Sequence, residues 1–308
     1  FAKPTERPNI VIIMADDMGY SDIGCFGGEI RTPNLDKLAE GGFRFTNFYS
    51  ENMCWVSRAA LLTSIYHKTS MVNNTLHPRC VTLPEVLGAA GYRTMICGKW
   101  HLAGKNNTVY PNDRGFNDFY GILGGAASFY APHSLSRNRT NVESDANKDP
   151  DYYFTNFISS EAARLIRETR ADQPFFLNIW FNEPHSKLAA PDEITSIYGD
   201  LKDEGALYSA TVDNTDRAIG RLVAKLKETG KLDNTLIIYS SDHGSYRADR
   251  NGGLTGNKGS NFQGGLRSPG IFFWPDGIRG DRIESTPSGA VDLLPTICGL
   301  AGIDKPKG

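Results

Sequence analysis

Short apolar runs alternate along the chain with longer amphipathic segments. The run at residues 9–14 is apolar from Ile10 onwards and rich in β-branched side chains, as strands buried on both faces are. Further extended segments are predicted at residues 43–49, 93–97, 175–181 and 236–240. Strands separated by helices indicate a mostly parallel sheet that is covered on both sides.

Helix signals lie between these strands. Thr32 followed by Pro33 is typical of a cap and a first-turn proline, and Gly41 ends that segment. Thr82 and Glu85 form a capping-box pattern at the start of a second helix. Two longer helices are predicted at residues 155–170 and 209–229, the second with its apolar residues on one face.

The composition favours one large globular domain. A chain of 308 residues with 40% apolar and 11% aromatic residues can bury a sizeable core. Because no repeat or low-complexity linker interrupts the pattern, we expect a single domain over residues 1–308. Residues 126–151 are polar and weakly patterned, and we expect them to form a long surface excursion.

The charge distribution argues against two classes of partner. The formal net charge is −2 and no long run of Lys or Arg is present, so neither nucleic acid nor a membrane surface is an expected partner. No apolar stretch is long enough to span a bilayer. The first residue is Phe1 rather than Met, and we expect a removed signal peptide and a periplasmic or secreted protein.

Charged and imidazole side chains follow four of the predicted strands. They are Asp16 and Asp17, Lys99 and His101, His185, and Asp242 and His243. An acidic pair after a strand is by itself more often a turn or a helix cap, and a lone lysine is usually a solvated charge. Parallel strands, however, bring all these ends to one edge of the sheet, where open α/β sheets bind their ligands.

Three carboxylates at one edge predict a metal site. Asp16, Asp17 and Asp242 would repel one another unless a cation lay between them, and oxygen donors favour calcium or magnesium over zinc. The surrounding donors suit a tetrahedral oxyanion, so the site is expected to bind sulfate or phosphate esters. These donors are Arg58, Lys99, His101, His185 and Lys258.

The segment at residues 54–64 reads CWVSRAALLTS and resembles the sulfatase signature, in which Cys is followed by x-Pro-Ser-Arg and an Ala-Leu-Leu-Thr-Gly-like helix. The likeness continues in the family's order through residues 9–17, 98–101, 184–185, 241–244 and 257–269. It implies an alkaline-phosphatase-like α/β sandwich with a large, mostly parallel central sheet flanked by helices. Relatives usually continue into a small C-terminal antiparallel subdomain, which we expect to be absent or truncated here.

The resemblance also implies an enzyme that hydrolyses aryl or carbohydrate sulfate esters to the alcohol and inorganic sulfate. It assigns one calcium ion, with magnesium as the alternative, to Asp16, Asp17, Asp242, His243 and the modified Cys54. Many relatives carry Asn at the position of His243. Lys99, His101, His185 and Lys258 correspond to residues that hold the sulfate and assist the leaving group, and Arg58 to the arginine that steadies the nucleophile.

By the same resemblance the nucleophile is formylglycine, which a formylglycine-generating maturation enzyme makes by oxidising Cys54. A sulfated Ser or Cys would be a stable ester that needs a second difficult hydrolysis. The hydrated aldehyde carries two hydroxyls, of which one attacks sulfur and the other expels sulfate by elimination.

Two positions depart from the family's pattern, and two other functions stay open. Val56 stands where the signature has Pro, and Gln263 stands where Glu is usual. The alternatives are a phosphonate or phosphodiester hydrolase of the same superfamily and a non-catalytic protein that binds sulfated glycans. The expected ligand is a small-molecule or polysaccharide sulfate ester. The aromatic side chains of Trp55, Trp100 and Tyr246 follow site residues and favour a carbohydrate.

Overall fold

The computed structural model describes residues 7–306. The strands are β1 (Asn9–Ala15), β2 (Phe43–Tyr49), β3 (Met71–Val72), β4 (Thr75–Leu76), β5 (Arg93–Lys99), β6 (Asp118–Ile122), β7 (Leu135–Arg137), β8 (Thr140–Asn141), β9 (Phe175–Trp180), β10 (Thr235–Ser241), β11 (Arg267–Phe273), β12 (Arg282–Glu284) and β13 (Ser288–Gly289). The helices are α1 (Pro33–Glu40), α2 (Cys54–Thr63), α3 (His67–Ser70), α4 (Leu83–Ala89), α5 (Glu143–Ala146), α6 (Phe154–Glu168), α7 (Asp192–Thr195), α8 (Glu204–Glu228), α9 (Gln263–Leu266) and α10 (Leu293–Ala301).

One large sheet organises the described part of the chain. Its strand order is β12-β2-β11-β10-β1-β9-β5-β6-β7-β8, and β13 pairs with β2. The central strands β10, β1, β9, β5 and β6 run parallel to one another, while β11 and β7 pair antiparallel with the outer two of these. The predicted α/β fold with a large, mostly parallel sheet is confirmed.

The continuous apolar pattern of β1 follows from its place in the middle of this sheet. Successive side chains of a strand point to opposite faces, so Val11 and Ile13 join one core while Ile10 and Ile12 join the other. The first core is covered mainly by α1, α6 and α8, and the second by α2, α4 and α10. Both faces of the sheet are therefore buried, as the sequence pattern predicts.

Local sequence signals and contacts between distant residues both determine where the helices begin. The predicted capping box of α4 is present, with the Glu85 amide donating to Thr82 Oγ1 at 3.4 Å. Thr32 precedes α1, but its side chain does not cap that helix; instead Asp216 of α8 accepts from the Leu35 amide at 2.8 Å. Helix α8 begins at Glu204 rather than at residue 209, because the Asp203 side chain caps it.

The expectation of a long surface excursion at residues 126–151 is wrong in part. Strand β7 pairs antiparallel with β6 and extends the main sheet, and β8 pairs with β7. Phe129, Leu135 and Ala146 of this region are buried. These elements are only two to four residues long, too short for a periodic pattern to show.

Some expectations concern features that the fold does not test. No helix in residues 7–306 combines the length and the apolar character needed to cross a membrane. Phe1, on which the expectation of a removed leader rests, lies outside the described residues. The single catalytic domain over residues 1–308, the truncated C-terminal subdomain and the secreted or periplasmic location stay predictions.

Candidate active site

The loops after β1, β5, β9 and β10 meet at the C-terminal edge of the parallel strands. They carry Asp16 and Asp17, His101, His185, and Asp242 and His243; Lys99 is the last residue of β5, and α2 adds Cys54 and Arg58. Lys258 reaches the same place from the segment that precedes α9. The side chains predicted from the strand ends are thus neighbours in the fold.

Cys54 is the first residue of helix α2. Met53 is extended and serves as the N-cap, and the first helical hydrogen bond runs from the Ser57 amide to the Met53 carbonyl at 3.1 Å. Cys54 is buried, with 2% of its surface exposed. The free amide groups and the positive end of the helix dipole therefore lie beside the Cys54 side chain, where they favour an anion.

Acidic, imidazole and thiol groups form one buried cluster at this helix start. One potential ligand atom from each of Asp16, Cys54, Asp242 and His243 lies within 4.8 Å of the others, and Asp17, Cys54 and His185 form an overlapping group. His243 Nε2 lies 3.2 Å from Cys54 Sγ and 3.2 Å from Asp17 Oδ1. The Asp17 amide donates to Asp242 Oδ1 at 3.2 Å.

The donor set fits a divalent cation. Asp16 Oδ1 is buried and accepts no hydrogen bond from any described residue, although buried carboxylate oxygens normally have partners. His243 Nδ1 lies 2.8 Å from the Gly244 carbonyl and can donate to it, which leaves Nε2 facing the cluster, where it could bind a cation. Carboxylate oxygens with one imidazole nitrogen are suitable ligands for such an ion.

Three cationic side chains neutralise the carboxylates. Lys99 Nζ lies 2.5 Å from Asp16 Oδ2, and both side chains are fully buried. Lys258 Nζ lies 2.7 and 2.9 Å from the two oxygens of Asp17. Arg58 donates to Asp242 Oδ2 and to the Lys99 carbonyl, each at 3.0 Å, and no hydrogen bond joins it to Cys54 in the described chain.

Burial and these charges shift the pKa values in the cluster. Burial opposes ionisation of Asp16, yet Lys99 and Arg58 outweigh it and hold the pKa of Asp16 well below its usual range. At Asp242 burial prevails and raises the pKa. Burial, with Asp16 and Asp242 nearby, also raises the pKa of the Cys54 thiol. An added cation would favour the ionised forms of all three groups.

The two remaining histidines border the cluster. The His101 ring lies edge-on to Trp55, with centroids 5.5 Å apart, and burial lowers the pKa of His101 to about 2. Its imidazole is therefore neutral, and the buried Nδ1 has no hydrogen-bond partner among residues 7–306. His185 Nδ1 lies 2.5 Å from the Ser186 carbonyl, and its Nε2 faces Asp17 at 3.8 Å.

One predicted sugar-contacting residue is excluded. Trp100 is completely buried: it stacks on Trp180 with centroids 6.2 Å apart and donates from Nε1 to the Val109 carbonyl at 2.9 Å. Trp100 follows Lys99 in the chain, but the alternation of the strand turns it into the core. Trp55 and Tyr246 are partly exposed, so a ligand can reach both side chains.

A buried network behind the site has no counterpart in the sequence analysis. Asp22 accepts from the Gly19 amide and from the Tyr208 hydroxyl, each at 2.6 Å, and Tyr208 lies 3.1 Å from Ser245 Oγ. Burial raises the pKa of Asp22 to about 7. The network joins the loop after β1 to the loop after β10. In the sequence, the only sign of this network was that Asp22 is an acidic residue five positions after Asp17. No sequence pattern singled out Tyr208.

Comparisons with known proteins point to one family. The family model described as Sulfatase matches residues 8–303. Arylsulfatase J of Mus musculus is 31% identical over 88% of this chain and 48% of its own length. Arylsulfatase A of Homo sapiens is 33% identical over 97% of this chain and 65% of its own length. This chain therefore spans less than two thirds of either relative.

A solved structure extends the comparison to the fold. The crystal structure of Ps i-CgsB in complex with k-i-k-neocarrahexaose superposes with a TM-score of 0.88 at 32% identity. The match covers 98% of this chain and 73% of that one.

Proposed function

This chain belongs to the sulfatase family, and from that premise we propose that it hydrolyses aryl or carbohydrate sulfate esters to the alcohol and inorganic sulfate. The observation that carries the proposal is the buried cluster of carboxylates, Cys54 and His243 at the start of α2, surrounded by lysines. A substrate sulfate group is a tetrahedral oxyanion that such a set of donors can hold.

The metal of the proposed enzyme is one calcium ion, with magnesium as the alternative. Asp16, Asp17, Asp242 and His243, together with the oxidised Cys54, would hold it. Two observations support this assignment: Asp16 Oδ1 accepts no hydrogen bond within residues 7–306, and His243 Nε2 faces the carboxylates of Asp17 and Asp242. When bound, the cation supplies positive charge that offsets the carboxylates and withdraws electron density from a sulfate oxygen.

Cys54 is the proposed precursor of formylglycine, whose hydrated aldehyde supplies one hydroxyl to attack sulfur and a second to expel sulfate. Its place at the first turn of α2 supports the assignment, because the backbone amides there face the developing negative charge. Arg58 holds Asp242 and the Lys99 carbonyl, and through them we assign it a positioning role.

Lys99, His101, Lys258 and His185 are the proposed sulfate-binding and leaving-group residues. Lys99 is fixed by Asp16 in a fully buried pair, so its charge is held in place without reorganisation. Burial lowers the pKa of Lys258, but the negative charge of Asp17 raises it by more. The net pKa is therefore above its ordinary value, and the ammonium group is a poor proton donor. His185 Nδ1 bonds to the Ser186 carbonyl and its Nε2 faces the site, 3.8 Å from Asp17, and we assign His185 as the acid for the leaving oxygen.

Co-expression with a formylglycine-generating enzyme tests the proposal. Mass spectrometry of the Cys54 peptide should show that the side chain has lost one sulfur and two hydrogens and gained one oxygen. The purified protein should release sulfate from 4-nitrophenyl sulfate. The Cys54→Ala variant is the matched control and should release none. Full conversion with no sulfate released from aryl or carbohydrate esters would reject the proposal, and turnover of a phosphonate monoester instead would support the alternative hydrolase.

A further inference from the structure

Three small cavities adjoin one another on the outer side of His101. The first has a volume of about 250 Å³ and is lined in part by Trp55, Asn74, His101, Lys105 and Asn107. The second, about 490 Å³, shares Asn74 and Lys105 with the first. The third, about 240 Å³, shares Trp55 and Asn74 and reaches Lys68. We call this surface, defined by Trp55, Lys68, Asn74, Lys105 and Asn107, the outer cleft.

Two similar turns form the walls of the outer cleft. Residues 73–75 and 106–108 both read Asn-Asn-Thr. Asn74 and Asn107 have left-handed backbones, with φ of 60° and 50°, a conformation that Asn tolerates better than most residues. Thr75 Oγ1 donates to the Leu102 carbonyl at 2.9 Å, so the first turn is joined to the segment that follows His101. The cleft is thereby attached to the candidate active site.

The outer cleft presents unpaired donors and no acidic group. The side chains of Lys68, Lys105, Asn74 and Asn107 make no hydrogen bond or ion pair within residues 7–306. None of the described residues that line the three cavities is Asp or Glu. The whole chain carries a net charge of −2, so this basic surface is a local feature. It suits an anionic ligand with hydroxyl groups.

Trp55 adds an aromatic surface between the two lysines. It is partly exposed, lines both the first and the third cavity, and its ring touches that of His101 edge-on. An indole offers a flat apolar face for the C–H groups of a sugar ring, and its Nε1–H can donate to a hydroxyl. Amide side chains such as Asn74 and Asn107 can donate to and accept from neighbouring hydroxyls of the same sugar.

We propose that the outer cleft binds a multiply sulfated oligosaccharide, with Trp55, Asn74 and Asn107 contacting the sugar and Lys68 and Lys105 binding sulfates other than the one in the active site. This inference rests on the proposed function, because it takes the sulfate site beside His101 as the place of the reacting group. A small aryl sulfate has a single charge and cannot engage the two lysines while its sulfate occupies that site.

Binding to a protein that cannot turn over gives the direct test. Titration calorimetry on the Cys54→Ala protein would use a carrageenan hexasaccharide and a heparin hexasaccharide, both multiply sulfated. Adding Lys68→Ala and Lys105→Ala should weaken the binding of the better ligand roughly tenfold, since exposed charge pairs contribute modestly each. Lys227→Ala on α8, an exposed lysine outside the cleft, should change nothing. Unchanged binding in the double variant, or no binding of either hexasaccharide to the parent, would overturn the inference.

Kinetics on the converted enzyme separates this inference from the proposed function. The double variant Lys68→Ala, Lys105→Ala should have unchanged kcat and KM for 4-nitrophenyl sulfate. For the hexasaccharide its KM should rise, so that kcat/KM falls. Trp55→Phe should retain more affinity than Trp55→Ala. If the converted protein releases no sulfate from any ester but still binds the hexasaccharide through the two lysines, the binding inference stands and the proposed activity fails.

Discussion

The Nε2 atom of His243 lies 3.2 Å from the Sγ atom of Cys54 at the start of helix α2. His243 Nδ1 lies 2.8 Å from the Gly244 carbonyl, so Nε2 is the ring nitrogen that faces the sulfur. An imidazole and a thiolate are the ligands that zinc prefers, whereas the oxygens of a hydrated aldehyde and of carboxylates suit calcium. We therefore expect the metal preference of the proposed site to depend on the chemical state of Cys54.

We expect the unconverted protein to bind zinc more tightly than calcium and the converted protein to show the reverse order. Replacing His243 by Asn should reduce zinc uptake by the unconverted protein and leave calcium uptake by the converted protein nearly unchanged, because Asn supplies an oxygen ligand. Elemental analysis after dialysis against each metal, with formylglycine content measured by mass spectrometry, checks both statements.

Asp17→Ala is the matched variant for this prediction and should abolish calcium binding, since Asp17 is a proposed carboxylate ligand that lies 3.2 Å from His243 Nε2. Equal calcium losses in His243→Asn and Asp17→Ala would count against the ligand assignment. Two zinc ions per converted chain would point to a phosphatase instead.

The site could be anticipated because its residues follow strands whose apolar pattern is unmistakable. Burial on both faces makes residues 10–15 of β1 and 236–239 of β10 continuous apolar runs, and the first charged residues after them are Asp16 and Asp242. The parallel arrangement then brings the two aspartates together. Their proximity needs only the topology of the sheet, which a helix–strand alternation predicts.

Contacts between residues far apart in the chain could not be anticipated in this way. The hydrogen bond from Tyr208 to Asp22 spans 186 positions, and the one from Leu35 to Asp216 spans 181. Neither pair forms a local pattern in the sequence. The burial of Trp100 was missed for a related reason, because the sequence shows that it follows Lys99 but not which face of the sheet it packs against.

Removing the buried lysine should cost most of the turnover. Lys99→Ala removes the closest cation from Asp16 and a fixed positive charge from the proposed sulfate site, so we expect kcat to fall about a hundredfold or more, equivalent to roughly 3 kcal/mol. The measurement is kcat with 4-nitrophenyl sulfate per mole of formylglycine. Lys227→Ala provides the control and should retain full turnover.

Lys258→Ala should also lower kcat. We expect this variant to disturb folding less than Lys99→Ala does, because the Lys258 side chain is 19% exposed whereas that of Lys99 is fully buried. Near wild-type turnover in this variant would remove Lys258 from the proposed site.

The buried Asp22 should make the stability of the protein depend on pH. Burial raises its pKa from 3.8 to about 7, so the folded state keeps a proton that the unfolded state loses. Because the pKa of this carboxyl is higher in the folded than in the unfolded state, its protonated form stabilises the fold. The stabilisation is complete below the unfolded-state pKa of 3.8 and is lost as the pH rises through about 7. Asp22→Asn removes the titration while its amide oxygen can still accept from Gly19 and Tyr208.

Thermal unfolding of Asp22→Asn and the parent at pH 5 and pH 8 should show a difference in Tm that moves in favour of the variant as the pH rises. Asp172→Asn is a suitable control, because Asp172 is exposed and its pKa is lowered by Arg170, so its titration lies below this window. A Tm difference between parent and Asp22→Asn that is the same at both pH values would show that Asp22 does not titrate in this range.

Val56 is the residue that we expect to limit maturation. It occupies the third position of α2, and the first backbone hydrogen bond of that helix is donated by the next residue, Ser57. The amide of Val56 therefore has no helical partner, and proline fits the first turn of a helix for this reason. Replacing Val56 by Pro should leave the folded structure and its Tm nearly unchanged.

The effect should instead appear before folding, when the maturation enzyme binds the segment around Cys54. Proline fixes φ and favours an extended segment, whereas the β-branched Val restricts the backbone less strongly. We expect partial conversion of Cys54 in the unaltered protein, and a higher formylglycine fraction with proportionally higher specific activity in Val56→Pro. Val56→Ala, which alters the side chain without adding the ring, should not raise conversion. Complete conversion of the unaltered protein would show that Val56 is no handicap. A Val56→Pro protein that is fully converted but releases no sulfate would favour a protein that binds sulfated glycans without hydrolysing them.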